Sequence, residues 1–408
     1  MELQLPEQSG IHLSYCTNIH PGESWNDVFQ QLKDNLPALK KRLAPDAPFG
    51  IGLRLSAKAA ETLLQKEMMD AFRDWLDREN LYVFTMNGFP YGSFHGERVK
   101  DRVYKPDWRT EERVQYSIDL AQVLAKLLGE GAEGSISTSP LSYKQWLPDA
   151  STRREVLLQS SRNMARVALE MDRIKKETGA ELHLDIEPEP DCLIENTDET
   201  VSYFNDWLIP EGGRFLEKQS GHSSAEAEQI IRDHIQVCYD TCHFSVEYEE
   251  PEEALRRFAK EGIGIGKVQV SAALKVLLGE AHQREAVKKR LHDFAEDVYL
   301  HQVIERRDDG SLHHYPDLPE ALPGIENPGA QEWRIHYHVP VFLDHFQELQ
   351  STRDDIVRSL DYLKKEQFSN HIEVETYTWS VLPDEMRTNL LSSIERELRW
   401  TMQELGEK

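Results

Sequence analysis

Short segments rich in β-branched and aromatic residues alternate along the chain with longer segments whose apolar residues recur every three or four positions. The short segments predict eight strands, at residues 12–20, 49–56, 81–89, 134–143, 181–190, 235–243, 266–274 and 371–379. The longer segments predict helices, with clear apolar stripes at residues 25–39, 57–78, 110–128, 153–176 and 251–260. Eight successive strand–helix units predict an α/β fold, a closed (β/α)₈ TIM barrel rather than an open sheet.

Within the predicted strands, apolar and polar residues alternate. In a barrel one of these sets faces the helices and the other faces the interior. The polar set includes Arg54, Ser135, Ser137, His183, Asp185, Glu187, Lys267, Gln269, His371, Glu373 and Glu375. Because an unpaired buried charge is costly, these groups must pair with each other or with an ion. One interpretation is a structural network of Lys267, Asp185 and Glu373 low in the barrel, with Arg54 nearby.

The connection between the seventh and eighth predicted strands is far longer than the others. We expect a single barrel domain over residues 1–408, with an insertion at residues 275–345 on the catalytic face. Two extended segments around an Asp-Gly turn indicate a small antiparallel sheet, and helices are expected at residues 275–294 and 345–367. Long loops at such a place usually serve a site.

Acidic and polar residues stand at the carboxyl ends of four predicted strands, where barrel enzymes place their chemistry. They are Glu187, Asp240, Gln269 and Glu375, and His243 follows Asp240 by three positions. Carboxylates and an imidazole suit Mn²⁺, Mg²⁺, Co²⁺ or Zn²⁺, so we predict one divalent metal ion at Glu187, Asp240, His243 and Glu375, with Gln269 completing the shell. Taken alone, Asp-x-x-His is more often a capping aspartate followed by a surface histidine than a ligand pair.

Three further acidic or imidazole positions are less clear from the pattern. His336 and His338 alternate within the insertion, so their side chains share one face. We predict that His338 contacts substrate or metal and that His336 lies on a solvated strand face. Glu189, beyond a proline after Glu187, is predicted to be exposed.

The stretch FTMNGFPYGSFHGERVKDRVYKPDW follows the third strand and is rich in aromatic and basic residues. We predict that it forms a lid in which aromatic rings stack on a sugar-like ring and cations neutralise a carboxylate or phosphate. The predicted substrate-binding residues here are Asn87, His95, Lys100, Arg102 and Trp108. The alternative is a packed loop with a solvated basic rim.

The composition is that of an acidic protein, with 47 basic and 72 acidic residues and a net charge of -25. Such a charge argues against nucleic acid and anionic membrane as partners, and leaves a small-molecule substrate as the expected one. A homo-oligomer is compatible with the sequence. The four cysteines lack a framework spacing, and neither a signal-peptide pattern nor a run of 18 apolar residues occurs. We therefore expect a soluble, cytoplasmic protein with reduced thiols.

Three motifs resemble those of the xylose isomerase-like barrels: DTCH after the sixth strand, the first glutamate of EPEP after the fifth, and VET in the eighth. That superfamily holds sugar isomerases and epimerases, inosose dehydratases and endonuclease IV-type repair enzymes. HLSYCTNIHPGESW, the lid stretch and DTCHFSVEYE are similar to the EboE-type metabolite traffic proteins, a resemblance that covers essentially the whole chain. It implies metal-binding positions at Glu187, Asp240, His243 and Glu375. Gln269 departs from the histidine of many relatives, which favours a harder ion.

These observations favour a metal-dependent isomerase- or epimerase-like protein, acting in metabolite traffic or secondary metabolism on a polyhydroxylated small molecule. Glu187 and Glu375 are the predicted catalytic residues, transferring a proton next to a carbonyl group. The alternative is a non-catalytic metabolite-binding or carrier protein that retains the barrel and the metal site. A phosphodiesterase of the endonuclease kind is disfavoured by the net charge of -25.

Overall fold

Eight parallel strands form a barrel in the computed structural model, which describes residues 1–3, 10–95, 98–279, 281–383 and 389–406. The strands are β1 (His12–Tyr15), β2 (Phe49–Arg54), β3 (Leu81–Asn87), β4 (Glu133–Thr138), β5 (Glu181–Ile186), β6 (Ile235–Asp240), β7 (Ile265–Val270) and β14 (His371–Val374). Their order is β1-β14-β7-β6-β5-β4-β3-β2, and a parallel bridge between Cys16 and Gly52 joins the two ends. The predicted TIM barrel is confirmed.

The helices follow the strands in the expected alternation. They are α1 (Trp25–Leu43), α2 (Ala57–Leu63), α3 (Lys66–Glu79), α4 (Glu111–Leu127), α5 (Ala150–Thr178), α6 (Thr197–Ser202), α7 (Gly213–Ser220), α8 (Ser224–His234), α9 (Thr241–Val246), α10 (Pro251–Lys260), α11 (Ala281–Leu291), α12 (Leu318–Ala321), α13 (Arg353–Glu366) and α14 (Leu390–Leu405). A capping box of Ser24 and Asp27 begins α1, whose apolar stripe is buried. No helix among the described residues is long and apolar enough to cross a bilayer.

A second sheet lies between β7 and β14 in sequence. Its strands are β8 (Ala272–Leu277), β9 (Val303–Arg307), β10 (Leu312–Tyr315), β11 (Ala330–Val339), β12 (His345–Phe346) and β13 (Leu349–Ser351), in the order β10-β9-β11-β8-β13-β12. All its pairings are antiparallel. The division into one domain with an insertion at residues 275–345 stays a prediction.

Two predicted helices begin later than expected because their first residues pair in this second sheet. Residues 275–277 belong to β8, which pairs with both β11 and β13, and α11 begins only at Ala281. Residues 345–351 contain β12 and β13, and α13 begins at Arg353. β12 and β13 form a local hairpin, but β8 pairs with β11 and β13, which are distant from it in sequence. This long-range pairing overrides the local helical pattern.

The interior of the barrel is polar, as predicted, although the pairing differs in part. Lys267 and Glu373 form an ion pair at 2.5 Å and both are fully buried. Asp185 instead pairs with His183, whose Nδ1 lies 2.7 Å from Asp185 Oδ1. Arg54 is not part of this network, because its guanidinium binds the Glu23 carboxylate at 3.1 Å.

Close packing around the Lys267–Glu373 pair explains a glycine in β2. A Cβ atom on Gly52 would lie 1.7 Å from Glu373 Oε1, which is far inside van der Waals contact. The absence of a side chain at this position is therefore what lets the glutamate lie across the interior of the barrel.

Candidate metal and active site

Five of the predicted site residues line a cavity of about 60 Å³ at the carboxyl ends of the barrel strands: Glu187, His243, Glu375, Asn87 and Lys100. Its lining consists of Asn18, Asn87, Phe89, Pro90, Phe94, Val99, Lys100, Val103, Tyr104, Glu187, Glu189, His243, Tyr299, Leu300, His336, Glu375 and Tyr377. Glu187 and Glu375 follow the ends of β5 and β14, and His336 comes from β11 of the second sheet.

The two carboxylate oxygens of Asp240 differ: one accepts hydrogen bonds from neighbouring groups, and the other has no hydrogen-bond partner among the described residues. It is the last residue of β6 and the N-cap of α9, so Oδ1 accepts from the backbone N–H groups of Cys242 at 2.8 Å and His243 at 3.1 Å. The hydroxyl of Ser271 also donates to Oδ1, at 2.5 Å. Oδ2 is buried with no hydrogen-bond partner among the described residues, and it lies 3.9 Å from His243 Nε2. Asp240 is thus a capping residue that still offers a metal ligand.

Three histidines present Nε2 towards this region. Each Nδ1 lies within hydrogen-bonding distance of an oxygen: His243 of Pro188 O at 2.9 Å, His336 of Gln302 Oε1 at 2.8 Å, and His338 of Glu375 O at 2.8 Å. A carbonyl oxygen can only accept, so the proton is on Nδ1 and the lone pair is on Nε2. Burial lowers the pKa of all three imidazoles, which keeps them neutral.

Two of these three Nε2 atoms have no hydrogen-bond partner among the described residues. Nε2 of His336 and Nε2 of His338 are buried and lack a hydrogen-bond partner within the part of the chain that the structure describes. A buried lone pair without a donor is costly in a protein interior, and a cation relieves that cost.

The two glutamates differ in how their oxygens are used. Amide groups of Asn18 and Asn87 donate to Glu375 Oε1 at 2.7 and 3.1 Å, and Gln269 Nε2 donates to Glu375 Oε2 at 2.6 Å. The same Gln269 nitrogen donates to Glu187 Oε1 at 3.2 Å. Glu187 Oε2 is buried and has no hydrogen-bond partner among the described residues. This arrangement disfavours the predicted role of Gln269 as a ligand, because its amide N–H₂ group faces both carboxylates.

The crowding of acids changes their protonation. Burial, followed by the charge of Asp240, raises the pKa of Glu375 to about 8. Burial, followed by the charges of Glu375 and Asp240, raises the pKa of Glu187 well above its ordinary value. Carboxylates packed in this way must take up protons or share a cation.

The donor atoms are close enough together for an ion. Ligand atoms within 4.8 Å of one another occur in four buried groups: Glu187–Asp240–Glu375, Asp240–His243–His338, Glu189–His243–His336 and Cys242–His336–His338. Three of the four predicted ligands, Glu187, Asp240 and Glu375, share one group, and the fourth, His243, shares another with Asp240 and His338. The unpartnered donor atoms in these groups fit a divalent cation.

Two residues of the cavity were assigned wrongly from the sequence. Glu189, expected to be exposed, is buried and accepts a 2.8 Å hydrogen bond from Tyr104 Oη. Burial raises its pKa to about 8. His336, expected on a solvated face, is buried against Gln302 and Glu189. The period-two spacing that places His336 beside His338 was the available indication.

The loop after β3 contributes only in part as predicted. Asn87 and Lys100 line the cavity, but Lys100 Nζ is paired with Asp317 Oδ2 at 2.6 Å, so its charge is already neutralised. His95 is half-buried outside the cavity lining, and burial, together with the nearby Arg54 cation, lowers its pKa to about 4. Arg102 is exposed and lines a neighbouring groove.

Trp108 is not at the cavity, contrary to the prediction. It is fully buried in the main core, and its indole N–H lies 3.2 Å from Thr138 Oγ1 and 3.1 Å from Ser139 O. Phe89, Phe94 and Tyr377 supply the aromatic walls instead. Residues 96 and 97 of the loop lie outside the described residues.

Comparison with known proteins gives structural neighbours only. No family model matches the chain, and no curated protein matches it. A xylose isomerase-like TIM barrel protein from Mycobacterium smegmatis, in complex with magnesium, is 10% identical over 97% of this chain and 96% of that chain, with a TM-score of 0.50. The IOLI protein with a bound zinc atom is 11% identical over 97% and 98%, with a TM-score of 0.48. The 3-keto-D-glucoside 4-epimerase YcjR from E. coli is 12% identical over 96% and 99%, with a TM-score of 0.44. At these identities the likeness concerns the fold alone: this chain is a TIM barrel, like the magnesium-bound barrel from Mycobacterium smegmatis.

Proposed function

We propose that this protein is a metal-dependent isomerase- or epimerase-like protein that transfers a proton next to a carbonyl group of a polyhydroxylated small molecule. One observation carries the proposal: buried carboxylates and neutral histidines converge on one cavity, with donor atoms left unpartnered. A barrel of the same fold was solved in complex with magnesium, which supports a divalent ion here. The setting in metabolite traffic rests on the resemblance to EboE-type proteins.

The ion would be held by Glu187, Asp240, His243 and Glu375, with His338 as a further donor. When bound, such an ion supplies Lewis-acid polarisation of a substrate carbonyl group. The all-oxygen group Glu187–Asp240–Glu375 suits Mg²⁺ or Mn²⁺, and the nitrogen-containing group Asp240–His243–His338 suits Zn²⁺ or Co²⁺.

The hydrogen bonds of Glu187 and Glu375 indicate different roles for the two glutamates in proton transfer. Both oxygens of Glu375 already accept from amide groups, which fixes the orientation of this carboxylate. Glu187 Oε2 accepts none within the described residues, so it is the better placed atom to take a proton from substrate. Glu375 comes from a different strand end, and it would start protonated and donate its own proton to the substrate while Glu187 keeps the proton it has taken.

The walls of the cavity favour a neutral, sugar-like substrate. Phe94, Tyr299 and Tyr377 pack on one another with ring centroids 5.0–5.4 Å apart and present apolar faces. The amides of Asn18 and Asn87 are at the floor, and the lysine of the lining is occupied by Asp317. Stacking and amide hydrogen bonds are typical of recognition of hydroxylated rings, and nucleic acid and membrane are not proposed as partners.

Deuterium incorporation from D₂O tests the proposal. Metal-loaded protein is incubated with a panel of ketoses, inososes and shikimate-type precursors, and exchange at carbon is followed by NMR. We expect exchange on at least one compound, reduced ~10²–10⁴-fold in Glu187→Gln and in Glu375→Gln. Glu181→Gln, at the exposed opposite end of β5, is the matched control and should exchange normally.

The same deuterium-exchange experiment distinguishes an isomerase or epimerase from a non-catalytic carrier. If metal-loaded protein binds a compound of the panel and exchanges no proton on any of them, the isomerase or epimerase proposal fails. The same result would favour a carrier that keeps the barrel and the metal site without catalysis.

A further inference from the structure

A second cluster of possible ligands lies outside the cavity, where the loop after β5 meets strand β10 of the second sheet. Asp191, Glu195 and His314 bring two carboxylates and an imidazole together, with ligand atoms within 4.8 Å of one another. None of the three is part of the site described above. Asp191 follows directly after the EPEP segment that carries Glu187 and Glu189.

The cluster holds more negative charge than its lysine can neutralise. Lys144 Nζ lies 2.6 Å from Glu195 Oε2 and 3.0 Å from Glu199 Oε1. Glu247 is the fourth carboxylate, and the charges that act on it most strongly are Glu195, Lys144 and Glu199. The carboxylates of Asp191, Glu195, Glu199 and Glu247 therefore share the single ammonium group of Lys144.

Two oxygens of the cluster are left without a partner. Glu247 is only 8% exposed, and its Oε1 is buried and has no hydrogen-bond partner within the described ranges. Asp191 Oδ2 is likewise buried and unpartnered there. Burial of an acceptor without a donor is costly, and a cation would satisfy both the geometry and the charge.

The structure of the loop fixes the position of Asp191 as a possible cation ligand. Its backbone N–H donates to Glu195 Oε1 at 2.7 Å, which closes the loop on itself. The residue has a φ of 65°, in the left-handed region that aspartate and asparagine tolerate better than most residues.

We propose that Asp191, Glu195 and His314 bind a second divalent cation, with Glu247 adding negative charge from the buried side. Two carboxylates and one imidazole suit Zn²⁺, Mn²⁺ or Co²⁺ rather than the all-oxygen shells of Ca²⁺ and Mg²⁺. The ion would join the β9–β10 hairpin to the loop that carries Glu187 and Glu189. It would therefore order one wall of the cavity without touching the substrate.

Zinc stoichiometry tests this site. Protein stripped with chelator is reloaded with Zn²⁺, dialysed and measured by elemental analysis, and binding is followed by calorimetry. We expect two equivalents in the unaltered protein and one in His314→Ala. His313→Ala is the matched control, because it removes the neighbouring imidazole of the same strand, which is exposed and packs on Tyr315. It should keep both equivalents.

Asp191→Asn provides a second variant that preserves size and backbone preference. It should also bind one equivalent, with a circular dichroism spectrum like that of the unaltered protein. If Asp191→Asn and His314→Ala both retain two equivalents, or if the unaltered protein binds a single ion that Asp240→Asn abolishes, the second site is overturned.

The same series separates this inference from the proposed function. Asp240→Asn should lose the ion of the cavity and keep the one at His314. If Asp240→Asn loses no metal while His314→Ala loses one equivalent, the second site stands and the metal site of the cavity fails.

Discussion

Replacing Lys267 with Met removes one partner of a fully buried ion pair. Lys267 Nζ lies 2.5 Å from Glu373 Oε2, and neither side chain reaches solvent. The glutamate left behind is enclosed by the barrel, with Gly52 packed against its carboxylate. Removing one member of a buried pair costs about 3–5 kcal/mol, because the remaining charge has no partner.

Protonation sets how that cost varies with pH. An ordinary glutamate has a reference pKa of about 4.3, so protonating it costs about 4 kcal/mol at pH 7 and about 1 kcal/mol at pH 5. A lone Glu373 can escape its buried charge by this route. We therefore expect Lys267→Met to lose about 3–4 kcal/mol of stability at pH 7 and clearly less at pH 5.

Urea unfolding followed by tryptophan fluorescence, with chelator present at both pH values, measures this loss. The double variant Lys267→Met/Glu373→Gln should recover most of the stability, since it leaves no unpaired charge. Lys66→Met, which breaks an exposed pair with Asp70, should change little. A loss of stability in Lys267→Met that is equal at pH 5 and pH 7, or absent at both, would contradict the role given to the buried ion pair.

Three further predictions concern the barrel and its lid. Gly52→Ala should lose about 1–3 kcal/mol of stability because its Cβ would overlap Glu373, whereas Gly92→Ala, with open space around it, should be neutral in the same urea titration. Burial alone would lower the pKa of His183, but two neighbouring carboxylates raise it to about 10. Its stabilising contribution is therefore complete below about pH 6.5 and is lost as the pH rises to about 10; His183→Asn should flatten this part of the stability curve, and an unchanged curve would contradict the assignment. Trp108→Phe should cost about 0.5–1.5 kcal/mol through the lost indole hydrogen bond and leave the affinity for any exchanging substrate unchanged; weakened binding would return Trp108 to the site.

The barrel and the centre of the site could be predicted because both depend on short-range patterns. Strand–helix alternation repeats eight times, and parallel strands of a barrel end on the same face. Glu187, Asp240 and Glu375 therefore had to meet once the strands were located. Asp240 and His243 are three residues apart, so the first turn of α9 is enough to bring both side chains to the same site.

The rest depended on contacts between segments far apart in the sequence. Glu189 and His336 are buried because they face each other across the junction of the barrel and the second sheet. Residues 275–277 form a strand only because β11 and β13 are there to pair with them. Trp108 belongs to an aromatic-rich loop, and only the fold reveals that its ring enters the core.

Anomalous diffraction from crystals grown with excess Mn²⁺ would locate a metal ion bound at the barrel mouth. We expect a peak at the barrel mouth, next to Asp240 Oδ2 and Nε2 of His243 or His338, with the glutamate carboxylates around it. Asp240→Asn crystals should lack that peak. An ordered cavity without anomalous density in the unaltered protein would contradict the proposal that these buried donors hold a metal ion.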